Sequence, residues 1–160
     1  MTIARFEHVS PAQYAQDVQG LPSPMSIVDI PLPRRATSGS AGYDFVSPIA
    51  VTLQPGESFT IPTGIRCIME VGWVLLLLPR SSLGFRHEVR LSNTAGVIDS
   101  DYSGAKNEGH ILVRLRNGGD HAVSLTPGER FCQGIFLPHG IAEEGDVSAG
   151  RDGGFGSTGR

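Results

Sequence analysis

Between Ala41 and Pro138 the apolar residues fall in short runs, several alternating with polar positions and most closed by a turn signal. Ile111-Leu112-Val113-Arg114-Leu115-Arg116 has period two, which puts Ile111, Val113 and Leu115 on one face and the arginines on the other. Ser58-Phe59-Thr60-Ile61 follows the turn Pro55-Gly56, Gly64 parts it from a run over Ile65 to Val71, and Thr126-Pro127-Gly128 leads into Arg130 to Leu137. Trp73 to Leu78 is apolar without interruption, the pattern of a strand covered on both faces. One helical signal precedes these runs. Ser10 is placed to cap a helix with Pro11 at its first position, Gln13 to close a capping box, and Gly20 to stop it. A proline-punctuated connector, Leu21 to Pro33, follows. Strands with no helices between them predict an all-β fold, a jelly-roll-like antiparallel β-sandwich, with the helix as an appendage. The expected divisions are an N-terminal extension over 1–24, a β core over 25–142 and a C-terminal arm over 143–160.

Composition sharpens this picture. The 160 residues include 21 glycines and 11 prolines, turn chemistry that disfavours a helical bundle. A net charge of −3 gives no basic footprint for duplex nucleic acid. The longest apolar run, Trp73 to Leu78, is too short to span a bilayer, and the first residues lack the apolar core of a signal peptide. Cys67 and Cys132 each sit inside an apolar stretch and read as buried, reduced thiols, so a cytoplasmic location is expected. The five histidines show no metal-ligand spacing. Gly150 to Arg160 holds Phe155 as its one large apolar residue and reads as a flexible arm.

Three segments carry candidate chemistry. Gly154-Phe155-Gly156-Ser157-Thr158-Gly159 matches the dinucleotide pattern formally, but the chain ends one residue later, where a helix and an acid should follow. Bare backbone N–H groups, two hydroxyls, Arg151 and Arg160 remain as donors suited to a phosphate chain, with Phe155 able to stack on a base. Pro79-Arg80-Ser81-Ser82-Leu83-Gly84 is a second donor cluster at a strand end, with an arginine able to hold phosphate oxygens in pairs. In the third, Asn93 to Gly104, Asp99 follows two apolar residues and suits a base that deprotonates water, while Tyr102 offers a flat face for a sugar.

Together these segments resemble the homotrimeric deoxyuridine triphosphatase (dUTPase) family. Five motifs occur in order: Ala41-Gly42-Tyr43-Asp44; Pro79 to Gly84; Gly96-Val97-Ile98-Asp99-Ser100-Asp101-Tyr102; Gly128-Glu129-Arg130-Phe131-Cys132-Gln133; and Gly153 to Gly159. The resemblance implies a jelly-roll trimer with active sites between subunits and hydrolysis of dUTP to dUMP and pyrophosphate by attack at the α-phosphorus. It implies Asp99 as the base and Tyr102 as the residue that lies under the deoxyribose and excludes ribonucleotides. Uracil would be read near Leu112, with Asn93, Val97 and Ile98 around it. Arg80, Ser81 and Ser82 would hold phosphates, with Gln133 near the α-phosphate. Phe155 and Gly156 would close over uracil, and Arg151, Ser157 and Thr158 would grip the γ-phosphate. Magnesium would ride on the triphosphate, touching Asp44 only through water. Two departures stand out: Arg151 precedes Phe155 by four residues rather than the family's usual five, and the hairpin after Tyr102 carries extra residues, Ala105-Lys106-Asn107-Glu108-Gly109. A dCTP deaminase-like enzyme and a nucleotide-switched regulatory binding protein are the alternative readings.

Overall fold

The computed structural model describes residues 2–143. Two antiparallel layers dominate. One is a five-stranded sheet in the order β2-β3-β12-β7-β9, built from Arg34–Arg35 (β2), Tyr43–Val46 (β3), Trp73–Pro79 (β7), Gly96–Ile98 (β9) and Arg130–Pro138 (β12). The other is a three-stranded sheet in the order β5-β10-β8, from Ser58–Pro62 (β5), Val89–Leu91 (β8) and Leu112–Asn117 (β10). Two strand pairs complete the fold: Ala4–His8 (β1) with Ile65–Met69 (β6), and Val51–Leu53 (β4) with Val123–Leu125 (β11). Two short helices, Pro11–Asp17 (α1) and Ser81–His87 (α2), and a 3-10 turn at Ser100–Gly104 are also present.

The layers face one another across a single cluster of buried side chains. Phe45, Leu75, Leu77 and Phe131 come from the five-stranded sheet, and Ile61, Val89, Val113 and Leu115 from the three-stranded one. Alternation builds this directly: along β10 Val113 and Leu115 are buried and Arg114 and Arg116 exposed. Gly134, in the middle of β12, is required by close packing, because a Cβ there would sit 2.7 Å from Leu75 Cδ1 and 3.2 Å from Phe45 Cε2.

Two expectations need correction. The N-terminal stretch is no appendage. Strand β1, which the sequence pattern did not signal, pairs with β6 from Ala4↔Met69 to His8↔Ile65, and Phe6 packs on Tyr43, Phe45 and Phe136 with ring centroids 5.4–5.8 Å apart. Val9 and Tyr14 belong to the core. Helix α1 itself forms as its capping signal predicts, with Ser10 Oγ accepting from Gln13 N–H at 3.1 Å. The return half of the box comes from elsewhere: Ser10 N–H donates to Glu108 Oε2 at 2.8 Å, while Gln13 turns its amide to Asp17. Second, β7 is not covered on both faces within one chain. Leu75 and Leu77 are buried, whereas Val74, Leu76 and Leu78 stay partly exposed.

Candidate active site

A cavity of about 570 Å³ opens between β8, β9 and β10. Asn93, Gly96, Val97, Ile98, Tyr102 and Leu112 line it, and Thr60, Ser92 and Arg114 add polar groups to its wall. Five of the expected base- and sugar-reading residues, Asn93, Val97, Ile98, Tyr102 and Leu112, are thus brought together. The pairing of β9 with β7, Leu75↔Ile98 and Leu77↔Gly96, carries the chain to Asp99 at one end of β7. Asp99 is half-buried there, and its carbonyl accepts Tyr102 N–H at 3.1 Å to begin the 3-10 turn.

Tyr102 is buried, and its phenol is secured from behind. The hydroxyl donates to the His110 carbonyl at 2.9 Å and accepts from Asn107 Nδ2 at 2.9 Å. The extra hairpin residues make this possible. Glu108 and Gly109 both take positive φ, 59° and 74°, and a Cβ on Gly109 would lie 2.6 Å from Ser103 Cα, so the chain can double back only with glycine there. Asn107 and His110, which the sequence alone does not mark as site residues, stand behind Tyr102 through this turn rather than in the cavity lining.

The expected phosphate residues gather at the opposite end of β7. Arg80 follows Pro79, and its backbone N–H donates to the Phe131 carbonyl at 3.3 Å. Ser81 and Ser82 are exposed in the first turn of α2. Gln133 on β12 pairs with Leu78 on one side and Asp44 on the other. Asp44 Oδ2 accepts from Arg130 Nη1 at 3.0 Å, and its Oδ1 lies 3.6 Å from Arg80 Nε. Arg130 is a further charged group of this cluster, present in the sequence only as a member of the motif Gly128 to Gln133.

These two clusters do not meet within one chain. Ile98 stands opposite Leu75, and Arg80 lies five residues farther along. At ~3.3 Å per residue that is roughly 17 Å, with Asp99 extending the other way. Arg151, Phe155, Gly156, Ser157 and Thr158 lie outside the described residues. Among the described residues no group of three His, Cys, Asp or Glu side chains forms a metal centre, and no helix is long and apolar enough to cross a membrane.

Paired antiparallel sheets, with a cavity between strand ends on one side and an arginine-rich strand end on the other, define a jelly-roll β protein whose candidate residues fall into two separate clusters. Comparison with known proteins names the class. The dUTPase family model matches residues 28–159. The deoxyuridine 5'-triphosphate nucleotidohydrolase of Lactococcus lactis is 43% identical over 133 residues, covering 81% of this chain and 89% of that protein. That of Hahella chejuensis is 43% identical over 139 residues, covering 82% and 88%. The crystal structure of dUTPase from Streptococcus mutans superposes with a TM-score of 0.67 at 33% identity, covering 87% of this chain and 98% of that one. The dUTPase from phage phi11 of Staphylococcus aureus shares the fold, with a TM-score of 0.69 at 18% identity and 98% and 99% coverage. The chain belongs to the dUTPase family.

Proposed function

We propose that the chain hydrolyses dUTP to dUMP and pyrophosphate, in the cytoplasm, as a homotrimer whose active sites lie between subunits. The observation that carries this reading is the division of the site. A cavity with Tyr102 and Asn93 suits a deoxynucleoside, and a separate cluster of Arg80, Ser81, Ser82 and Gln133 suits a triphosphate, about a strand length away. A second copy brings one cluster against the other. The third contributes the arm, with Phe155 over the uracil and Arg151, Ser157 and Thr158 on the terminal phosphate.

In this assembly Asp99 orients a water and accepts its proton. The water oxygen bonds to the α-phosphorus, the bond from that phosphorus to the bridging oxygen breaks, and pyrophosphate leaves. Little covalent work falls to the protein, so spread donors and one base suffice. Tyr102 rejects ribonucleotides by bulk beneath the sugar. The donor chemistry fits magnesium carried by the nucleotide: each Asp44 oxygen already faces an arginine, so a hard cation would draw on phosphate oxygens and water, with Asp44 touching it through water. When bound, the ion supplies charge neutralisation on the phosphates. The cytoplasmic assignment rests on two unpaired thiols at Cys67 and Cys132.

Pyrophosphate release measured with dUTP, dTTP, dCTP and UTP in magnesium buffer tests the reading. dUTP is expected to lead by orders of magnitude. Ammonia released from dCTP, or equal turnover of all four, would overturn it.

A further inference from the structure

The wall formed by Tyr102 is tied to the N-terminal helix through the hairpin behind it. His110 is fully buried, with its side chain 0% exposed. Its Nε2 faces the backbone N–H of Gly64 at 2.8 Å, a group that can only donate, so Nε2 is the acceptor. The ring proton is therefore on Nδ1, and it donates to Asp17 Oδ2 at 2.5 Å, on the last turn of α1. The carbonyl of the same His110 receives the Tyr102 hydroxyl, and Asn107 Nδ2 reaches both, at 2.9 and 3.4 Å. Two residues before His110, the Glu108 carboxylate takes the Ser10 N–H at 2.8 Å and the Ser10 hydroxyl at 2.6 Å, at the other end of α1. These bonds hold the Glu108 carboxyl below its ordinary value, chiefly through the Ser10 hydroxyl. The hairpin is thus pinned at two points to one helix, with Tyr102 hanging on its inner side. Ser10 and Asp17 both lie before the residues 28–159 that match the family model.

We propose that Asp17 and Ser10 are positioning residues for Tyr102, and that α1 thereby sets how strictly the site separates 2'-deoxyribonucleotides from ribonucleotides. The inference rests on the function proposed above. A ring that excludes a hydroxyl by bulk discriminates only as well as its position is fixed. Asp17 touches no substrate; it fixes the His110 ring, whose main-chain carbonyl fixes the phenol.

The test compares wild type with Asp17→Ala, Asp17→Asn and Ser10→Ala in the full chain, measuring kcat and KM for dUTP and for UTP beside the thermal midpoint. Asp17→Ala is expected to lower the dUTP-to-UTP ratio of kcat/KM by about two- to tenfold, the factor that one ordinary hydrogen bond carries. Asp17→Asn keeps a carbonyl oxygen for Nδ1–H and should hold the wild-type ratio. A merely structural role scales both substrates together and leaves the ratio unmoved, so an unchanged ratio in Asp17→Ala overturns the proposal, as does an equal fall in Asp17→Asn. Should Asp17→Ala fail to fold, Ser10→Ala decides: a smaller fall in the ratio supports the tether, and no fall removes it. A wild type without preference for dUTP over UTP removes the proposed function itself. A wild-type preference that survives the substitutions removes only this inference.

Discussion

Acid should loosen this protein through His110, and the loss can be isolated from every other titrating group. Burial holds the imidazole below its ordinary value of 6.5, and this outweighs the opposing pull of Asp17 and Glu108. Protonation would also destroy the Nε2 acceptor that satisfies Gly64 N–H. Above about pH 6.5 the ring is neutral whether the chain is folded or not, and the bond network stands at full strength. As pH falls below that point the unfolded chain takes up a proton that the folded chain refuses, so unfolding is favoured. The slope is at most about 1.4 kcal/mol per pH unit, and it continues down to the folded-state value. Against a typical total of ~5–15 kcal/mol that is a large fraction. The assay is denaturant unfolding at pH 7.5, 6.5 and 5.5 for wild type and for His110→Gln. A glutamine can accept from Gly64 and donate to Asp17 without titrating. His8, His87, His121 and His139 remain in both proteins, so their contribution cancels in the difference. The wild type should lose more stability than the variant between pH 7.5 and 5.5, by at most about 1.4 kcal/mol. Parallel curves for the two proteins would refute the assignment of a buried neutral imidazole.

Asp99→Asn should still bind dUTP yet turn over at least ~100-fold slower, the usual scale for a lost general base; a wild-type rate would remove Asp99 from the mechanism. Because Asp99 and Arg80 lie at opposite ends of β7, refolding a mixture of Asp99→Asn and Arg80→Ala chains should recover activity that neither has alone. Activity that stays at the level of the separate variants would place both groups in one subunit's site. Cys67 and Cys132 are buried and pushed up to about 12 by desolvation. A disulfide reagent at pH 8 should leave both unreacted in the folded protein and label both in denaturant. Gly134→Ala forces a methyl into Leu75 and Phe45 and should cost about 1–3 kcal/mol by overpacking, read as a lowered unfolding midpoint without a changed KM.

Much of the core was legible because alternation and burial are the same fact on a half-covered strand. Ile111, just before β10, and Val113 and Leu115 on it are buried, and Arg114 and Arg116 exposed, as period two requires. The cavity residues were legible as motifs rather than as geometry. What sequence could not carry is contact between distant positions. Strand β1 has one large apolar residue, Phe6, amid charges, so its pattern is weak; it is a strand because β6 pairs with it and three rings enclose Phe6. The bond from Asp17 to His110 spans 93 residues, and no local rule signals it. Gln13 was placed correctly for a capping box, yet Glu108 took the return bond because its carboxylate accepts two donors from Ser10 at once.

The misreading of β7 has a different origin, which the trimer proposed above accounts for. Six consecutive apolar residues signal burial on both faces, while the chain alone covers only Leu75 and Leu77. On the uncovered face Leu76 pairs with Val97 on one side and Ile135 on the other, and Val74 pairs with Leu137. Val97 is 56% exposed and Leu137 40%. An apolar stripe crossing three strands is an expense that a solitary chain has no reason to carry, and such patches mark association surfaces. The trimer proposed above gives this face an occupant, and it does so next to the cavity, since Val97 lines both. The same association that hides the stripe would bring another copy's Arg80 cluster toward Asp99. On this view the uninterrupted run at Trp73 to Leu78 encodes assembly as well as folding: its inward residues hold the sandwich together, and its outward residues make the divided site whole.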